Sequence, residues 1–146
     1  MKYLVLALIS LNAMAVDINF VGPCDKKPLL SGSLGNKYET VGDITIQFLN
    51  KNNVRYDGNT RGINTAFNTP VGDAALEVIS DTEMRAYGWC YFVDGMGPDV
   101  FADEYPMDAK IKRIDWIFGF AHYKNGEWIS NCTPAFTIKP KFICKK

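Results

Sequence analysis

The sequence predicts an α+β fold, with one principal α-helix lying across a mostly antiparallel sheet, and three observations lead there. Strand-like segments recur with turn signals between them, one helix-opening signal interrupts them, and four cysteines follow an export signal.

Residues 1–15 read as a cleaved signal peptide. Lys2 supplies the positive charge, Tyr3 to Leu11 the short apolar run, and Ala13-Met14-Ala15 the small-x-small cleavage site. The run is too short to cross a hydrocarbon core, which needs ~20 apolar residues, so no membrane span is expected. No cysteine stands at the cleavage point; lipid attachment there is not expected. Residues 16–146 then form one domain, periplasmic or secreted. Sixteen basic side chains balance sixteen acidic ones, and no basic stripe points to nucleic acid.

Export makes Cys24, Cys90, Cys132 and Cys144 a disulfide framework. Four cysteines allow three pairings. The favoured one is Cys24–Cys144, tying the two ends of the mature chain, with Cys90–Cys132 joining two internal strands. No Cys-x-x-Cys spacing and a single histidine argue against zinc.

From Cys24 to Thr40 the chain reads as extended segments and loops. Ile44 to Leu49 alternates apolar and polar residues, predicting a half-buried strand that forms a hairpin with Val54-Arg55-Tyr56. Gly62 to Asn68 is a further extended piece. The helix is expected from Thr69 as N-cap and Pro70 at the first position, to a stop near Ser80 to Met84. Its core stripe would be Ala75, Leu76 and Ile79.

Tyr87 to Val93 is the next strand, closed by Asp94-Gly95, and Ile114 to Tyr123 is the longest. Asn125-Gly126 predicts a two-residue hairpin turn. The resulting register pairs Lys124 with Glu127, Tyr123 with Trp128 and His122 with Ile129, and sets Cys132 opposite Gly119. Phe136 to Cys144, broken by Pro134 and Pro140, is expected at a sheet edge.

Three stretches together resemble the transcobalamin C-terminal-like domain family: Thr69-Pro70-Val71-Gly72-Asp73-Ala74-Ala75-Leu76, Tyr87-Gly88-Trp89-Cys90-Tyr91-Phe92-Val93-Asp94-Gly95, and Asp115-Trp116-Ile117-Phe118. The match spans roughly Gly42 to Phe118. The resemblance implies a β-grasp-like sheet with one helix. It extends to cobalamin only by analogy, because the helical barrel that completes the carriers' corrinoid site is missing from this chain. Ala109 to Arg113 also departs from the Gly-Asp that family members tend to carry before the Trp strand.

No cofactor and no enzymatic activity are expected. His122 has no serine in a nucleophile-elbow context and reads as a structural histidine. Asp99, Asp103, Glu104 and Asp108 lack the Asp-x-Asp-x-Asp-Gly pattern of a calcium loop and read as solvated. Asn131-Cys132-Thr133 fits a glycosylation sequon, relevant only in a eukaryotic secretory pathway.

The aromatic residues carry the functional expectation. Tyr87, Trp89, Tyr91 and Val93 share one strand face, and Trp116, Phe118, Phe120 and His122 share another. One sheet face must bury against the helix. The second is covered by the segments that Cys24 and Cys144 hold, or it is an exposed binding surface. The reading is a binding module that recognises a small hydrophobic or planar ligand, a polypeptide or a glycan through Tyr87, Trp89, Tyr91, Trp116 and Trp128. The alternative is a structural or interaction subunit of an envelope assembly. Either a monomer or a homodimer fits.

Overall fold

Two long strands organise the molecule, β6 (Glu83–Val93) and β7 (Arg113–Lys124), paired antiparallel in an unbroken register from Glu83↔Lys124 to Val93↔Ile114. The computed structural model describes residues 14–145; of the signal peptide expected over residues 1–15, residues 1–13 lie outside them. Around the pair stand β1 (Ala15–Val21), β2 (Leu30–Gly35), β5 (Leu76–Ser80) and β8 (Glu127–Pro134), in the order β2-β1-β7-β6-β5, with β8 also pairing β7. The β1–β7 contact is parallel and the other pairs are antiparallel. Strands β3 (Tyr56–Asn59) and β4 (Gly62–Ala66) form a separate hairpin. The result is a sheet-dominated α+β fold with one α-helix among the described residues, α1 (Val41–Lys51).

The helix is not where the sequence pattern placed it. Ile44–Leu49, expected as a strand, lies inside α1. Thr40 and Asp43 form a capping box: the Thr40 hydroxyl accepts from the Asp43 N–H at 3.1 Å, and the Asp43 carboxylate accepts from the Thr40 N–H at 3.1 Å. Val41, Ile44, Thr45, Phe48 and Leu49 are all buried, a helical spacing that the local alternation masked. The hairpin expected between residues 44–49 and 54–56 is instead the β3–β4 hairpin.

The helix expected from Thr69 is likewise absent. Gly72–Ala75 makes one 3₁₀ turn, Gly72 lies at φ +64°, and Leu76–Ser80 runs as strand β5. Here tertiary pairing overrides a local helix signal. Glu77, opposite Arg85, accepts from its guanidinium at 3.0 Å and from the Tyr87 hydroxyl at 2.7 Å.

The Asn125-Gly126 turn forms as expected, with both residues at positive φ and Lys124↔Glu127 and Tyr123↔Trp128 paired. Beyond it the register shifts, so His122 pairs with Ser130 rather than Ile129, and Gly119 with Pro134 rather than Cys132. Asn131 and Cys132 bulge out of the ladder, with Cys132 at φ +53°. A Cβ on Gly119 would stand 2.8 Å from the Thr133 carbonyl oxygen, so the bulge needs glycine beneath it. Phe136–Cys144 is no edge strand: a 3₁₀ turn (Ala135–Thr137) leads into further turns.

Both disulfides join the favoured partners, Cys24–Cys144 and Cys90–Cys132. No helix among the described residues is long and apolar enough to cross a membrane.

The inner sheet face meets α1 and the β3–β4 hairpin. Phe20 stacks on Phe48 and Trp116, and Trp89 packs edge-on against Phe20 and Phe118. Gly42, in the first turn of α1, packs directly on the Thr60 backbone; an added Cβ would collide with the Thr60 carbonyl. Gly42→Ala is therefore expected to cost about 3 kcal/mol, the upper end for an overpacked core, read as a lowered urea midpoint.

Candidate functional site

The two indoles at the centre of the inner face share one arrangement. Trp116 Nε1 donates to Thr45 Oγ1 at 2.9 Å, and that hydroxyl donates onward to the Val41 carbonyl at 2.7 Å. Trp89 Nε1 donates to Thr69 Oγ1 at 2.9 Å, which donates to the Ala66 carbonyl at 2.8 Å. Each indole N–H is thus satisfied inside the core, as burial requires.

Trp116 is 2 % exposed, Tyr87 7 % and Trp89 9 %. The aromatic face expected to bind a ligand is therefore the core, and no ligand can lie flat on it. Tyr87 is the more deeply committed of the tyrosines. It packs against Phe118, Phe120 and Phe142, and burial followed by the Glu77 charge pushes its hydroxyl well above the ordinary tyrosine range. Because Phe142 lies here, the disulfide-held tail packs on the inner side at Tyr87. The second face keeps Leu76, Val78 and Trp128 exposed.

Part of the aromatic set does reach solvent, at the outer edge of β6. Strand β5 accompanies β6 only as far as Ala86. Beyond that point a cleft of about 450 Å³ opens, within the usual size range of ligand sites. Trp89, Tyr91, Phe92 and Trp116 line it. The turn and strand from Arg61 to Asn64 make one wall, the loop from Gly97 to Phe101 a second, and the Asn131-Cys132 bulge a third. The Cys90–Cys132 disulfide pins that bulge to β6.

Tyr91 holds the second wall in place, its hydroxyl donating to the Val100 carbonyl at 2.6 Å. Burial, with Tyr105, Glu104 and Asp103 nearby, pushes the phenol up to about 12, so it remains a donor at neutral pH. At the mouth the Arg61 guanidinium stacks 3.6 Å from the centre of the Phe101 ring. It also lies 4.0 Å from Asp103 and 3.8 Å from Glu104. The cleft is therefore apolar along its floor, with a charge-balanced rim.

Of the five aromatics singled out from sequence, the fold brings Trp89, Tyr91 and Trp116 together. Tyr87 lies deeper in the core. Trp128 stands apart, 58 % exposed, against Tyr123 and beside a shallow recess with Ala121 and Ile129. Sequence reasoning missed Arg61, Phe92, Phe101 and Asn131 as residues of one site. The Asp94-Gly95 turn gives the nearest local signal. The Asp94 carboxylate accepts from the Arg113 N–H at 2.9 Å and fixes the entry to β7.

His122 Nε2 lies 2.8 Å from Glu83, and Lys124 lies 3.4 Å from the same carboxylate. The His122 hydrogen bond and the Lys124 charge hold Glu83 below the usual carboxylate range. This is a cross-strand ion-pair cluster at the far end of β6, remote from the cleft. Among the described residues no three His, Cys, Asp or Glu side chains gather as a metal-binding group.

The chain matches no family model and no curated protein. Among solved structures it is similar to a protein from Ruminococcus gnavus ATCC 29149 described as a "putative metal binding protein", at 14 % identity and a TM-score of 0.45. The similarity covers 72 % of this chain and 97 % of that one.

Proposed function

We propose that this protein is an exported, non-catalytic binding module whose ligand enters the cleft at the outer edge of β6. The carrying observation is that Trp89, Tyr91 and Trp116, otherwise core residues, line one concave, mostly apolar site together with Phe92 and Phe101. Two disulfides fit an extracellular or periplasmic setting. The mixed sheet crossed by α1, with β1 and β7 parallel, is read as β-grasp-like in line with the transcobalamin-like resemblance. A cobalamin-sized ring system exceeds what the cleft can enclose by itself.

The test is an NMR titration of the labelled protein with small planar ligands, cobalamin among them, and with peptides and oligosaccharides. Shifts should concentrate at Tyr91, Phe101 and Asn131. Gly62→Tyr supplies the control, because Gly62 lines the cleft and a Cβ there meets no atom within 4 Å. It should abolish the shifts while leaving the thermal midpoint unchanged. Shifts that survive Gly62→Tyr sink the reading.

A second reading rests on the outer sheet face. Val78 is 75 % exposed and Trp128 58 %, and the two strands that carry them present apolar side chains to solvent. This surface supports a structural or interaction subunit. A strictly monomeric protein in analytical ultracentrifugation, with no perturbation of Trp128 by any partner, counts against it.

A further inference from the structure

We infer that the cleft accepts an extended polypeptide segment, which adds to the outer edge of β6 as one more strand. This rests on the cleft being the binding site and names its occupant.

The direction of the backbone groups carries the inference. The Val93 N–H donates to the Met96 carbonyl at 2.8 Å, and the Met96 N–H returns a bond to the Val93 carbonyl at 3.0 Å, both on the outer side of β6. The next residue faces the other way: the Asp94 N–H donates to the Arg113 carbonyl, toward β7, at 2.9 Å. In a regular antiparallel strand successive residues alternate which neighbour their N–H and C=O address. The β6–β7 register contains no bulge from Glu83 to Val93. Counting back from Val93, Tyr91 and Trp89 therefore aim both backbone groups away from β7, toward the cleft they line.

Those groups meet no partner strand among the described residues. The last residue of β6 paired with β5 is Ala86, and β4, although it walls the cleft, pairs only with β3. Among the described residues, β4 forms no ladder with β6, and no loop or turn backbone bonds to Trp89 or Tyr91. An unpaired edge of this kind is a template for strand addition.

The ligand chemistry follows. Two N–H and two C=O groups, repeating every second residue at ~3.3 Å rise per residue, are matched by an extended peptide backbone. A planar ring or a sugar offers no such alternating ladder. The walls select further. Arg61 is already stacked on Phe101 and balanced by Asp103 and Glu104, so uncharged side chains suit the segment best.

The experiment begins with selection of heptapeptides on the purified protein from a random phage-displayed library. The best binder is then resynthesised with a single N-methyl group at each position in turn. Strand addition predicts an alternating pattern: methylation at every second residue weakens binding about tenfold or more, and at intervening residues has little effect. Gly62→Tyr should abolish binding of the parent peptide.

A peptide that Gly62→Tyr blocks but N-methylation leaves untouched would overturn strand addition and keep the cleft as the site. Strand addition is overturned in the same way if no peptide is selected while a small planar ligand shifts cleft resonances. A peptide bound equally well by Gly62→Tyr would overturn both.

Discussion

Replacing Cys24 and Cys144 together by alanine is expected to lower the unfolding free energy by about 5 kcal/mol on the chain-entropy account of a cross-link closing a long loop. The two cysteines are separated by 120 residues, against 42 for Cys90 and Cys132, for which the same account gives about 4 kcal/mol. Domains of this size are stable by only ~5–15 kcal/mol, so this loss amounts to between about a third and all of the stability. Local structure works in the same direction. The tail after β8 holds only a 3₁₀ turn and irregular turns, held besides the disulfide by buried Ala135 and Pro140, by Ile143 against the core and by Phe142 against Tyr87. Urea unfolding of the two double variants beside the parent measures both losses. A cost below about 1 kcal/mol for Cys24/Cys144 would mean that the ends are held by packing and not by the cross-link.

Trp116→Ala is expected to cost about 3–5 kcal/mol, the range for removing a fully buried large aromatic. The indole is 2 % exposed, stacks on Phe20 and tilts against Tyr91. Its loss leaves a cavity between α1 and the sheet and strips the Thr45 hydroxyl of its donor. Thr45→Val isolates the polar part: it leaves the Trp116 N–H buried without an acceptor and should cost about 1–3 kcal/mol. Thermal or urea unfolding of both variants reads the split. A fully stable Trp116→Ala protein would show that Trp116 belongs to a ligand surface and not to the core.

How much of this was legible in the sequence depends on which interactions decide each element. The β6 and β7 strands, the Asn125-Gly126 turn and both disulfides could be read because dense alternation, a positive-φ turn pair and the cysteine positions act locally or through covalent bonds. The helix was misplaced because two weak signals competed. Ile44-Thr45-Ile46-Gln47 alternates as a strand does, yet the Thr40–Asp43 capping box and the burial of Val41, Ile44 and Phe48 make it a helix. Thr69-Pro70 looked like a helix start, but the Thr69 hydroxyl serves as acceptor for Trp89, a partner twenty residues away that no local window includes.

The candidate site was half legible. Its aromatic content was visible, but its location was not, because the cleft exists where β5 stops short along β6 and five separate segments converge. Pairing length is a tertiary property. The bulge at Cys132, which shapes one wall, comes from a register shift that a two-residue turn alone does not predict.

Amide hydrogen exchange, read residue by residue along β6, bears most directly on the central claim that this edge is open. The structure predicts slow exchange at Gly88, Cys90 and Phe92, whose N–H groups address β7, and fast exchange at Trp89 and Tyr91, whose N–H groups address the cleft. Slow exchange along the whole of residues 88–92, with no alternation, would mean that the outer edge of β6 is already paired, and would contradict the claim.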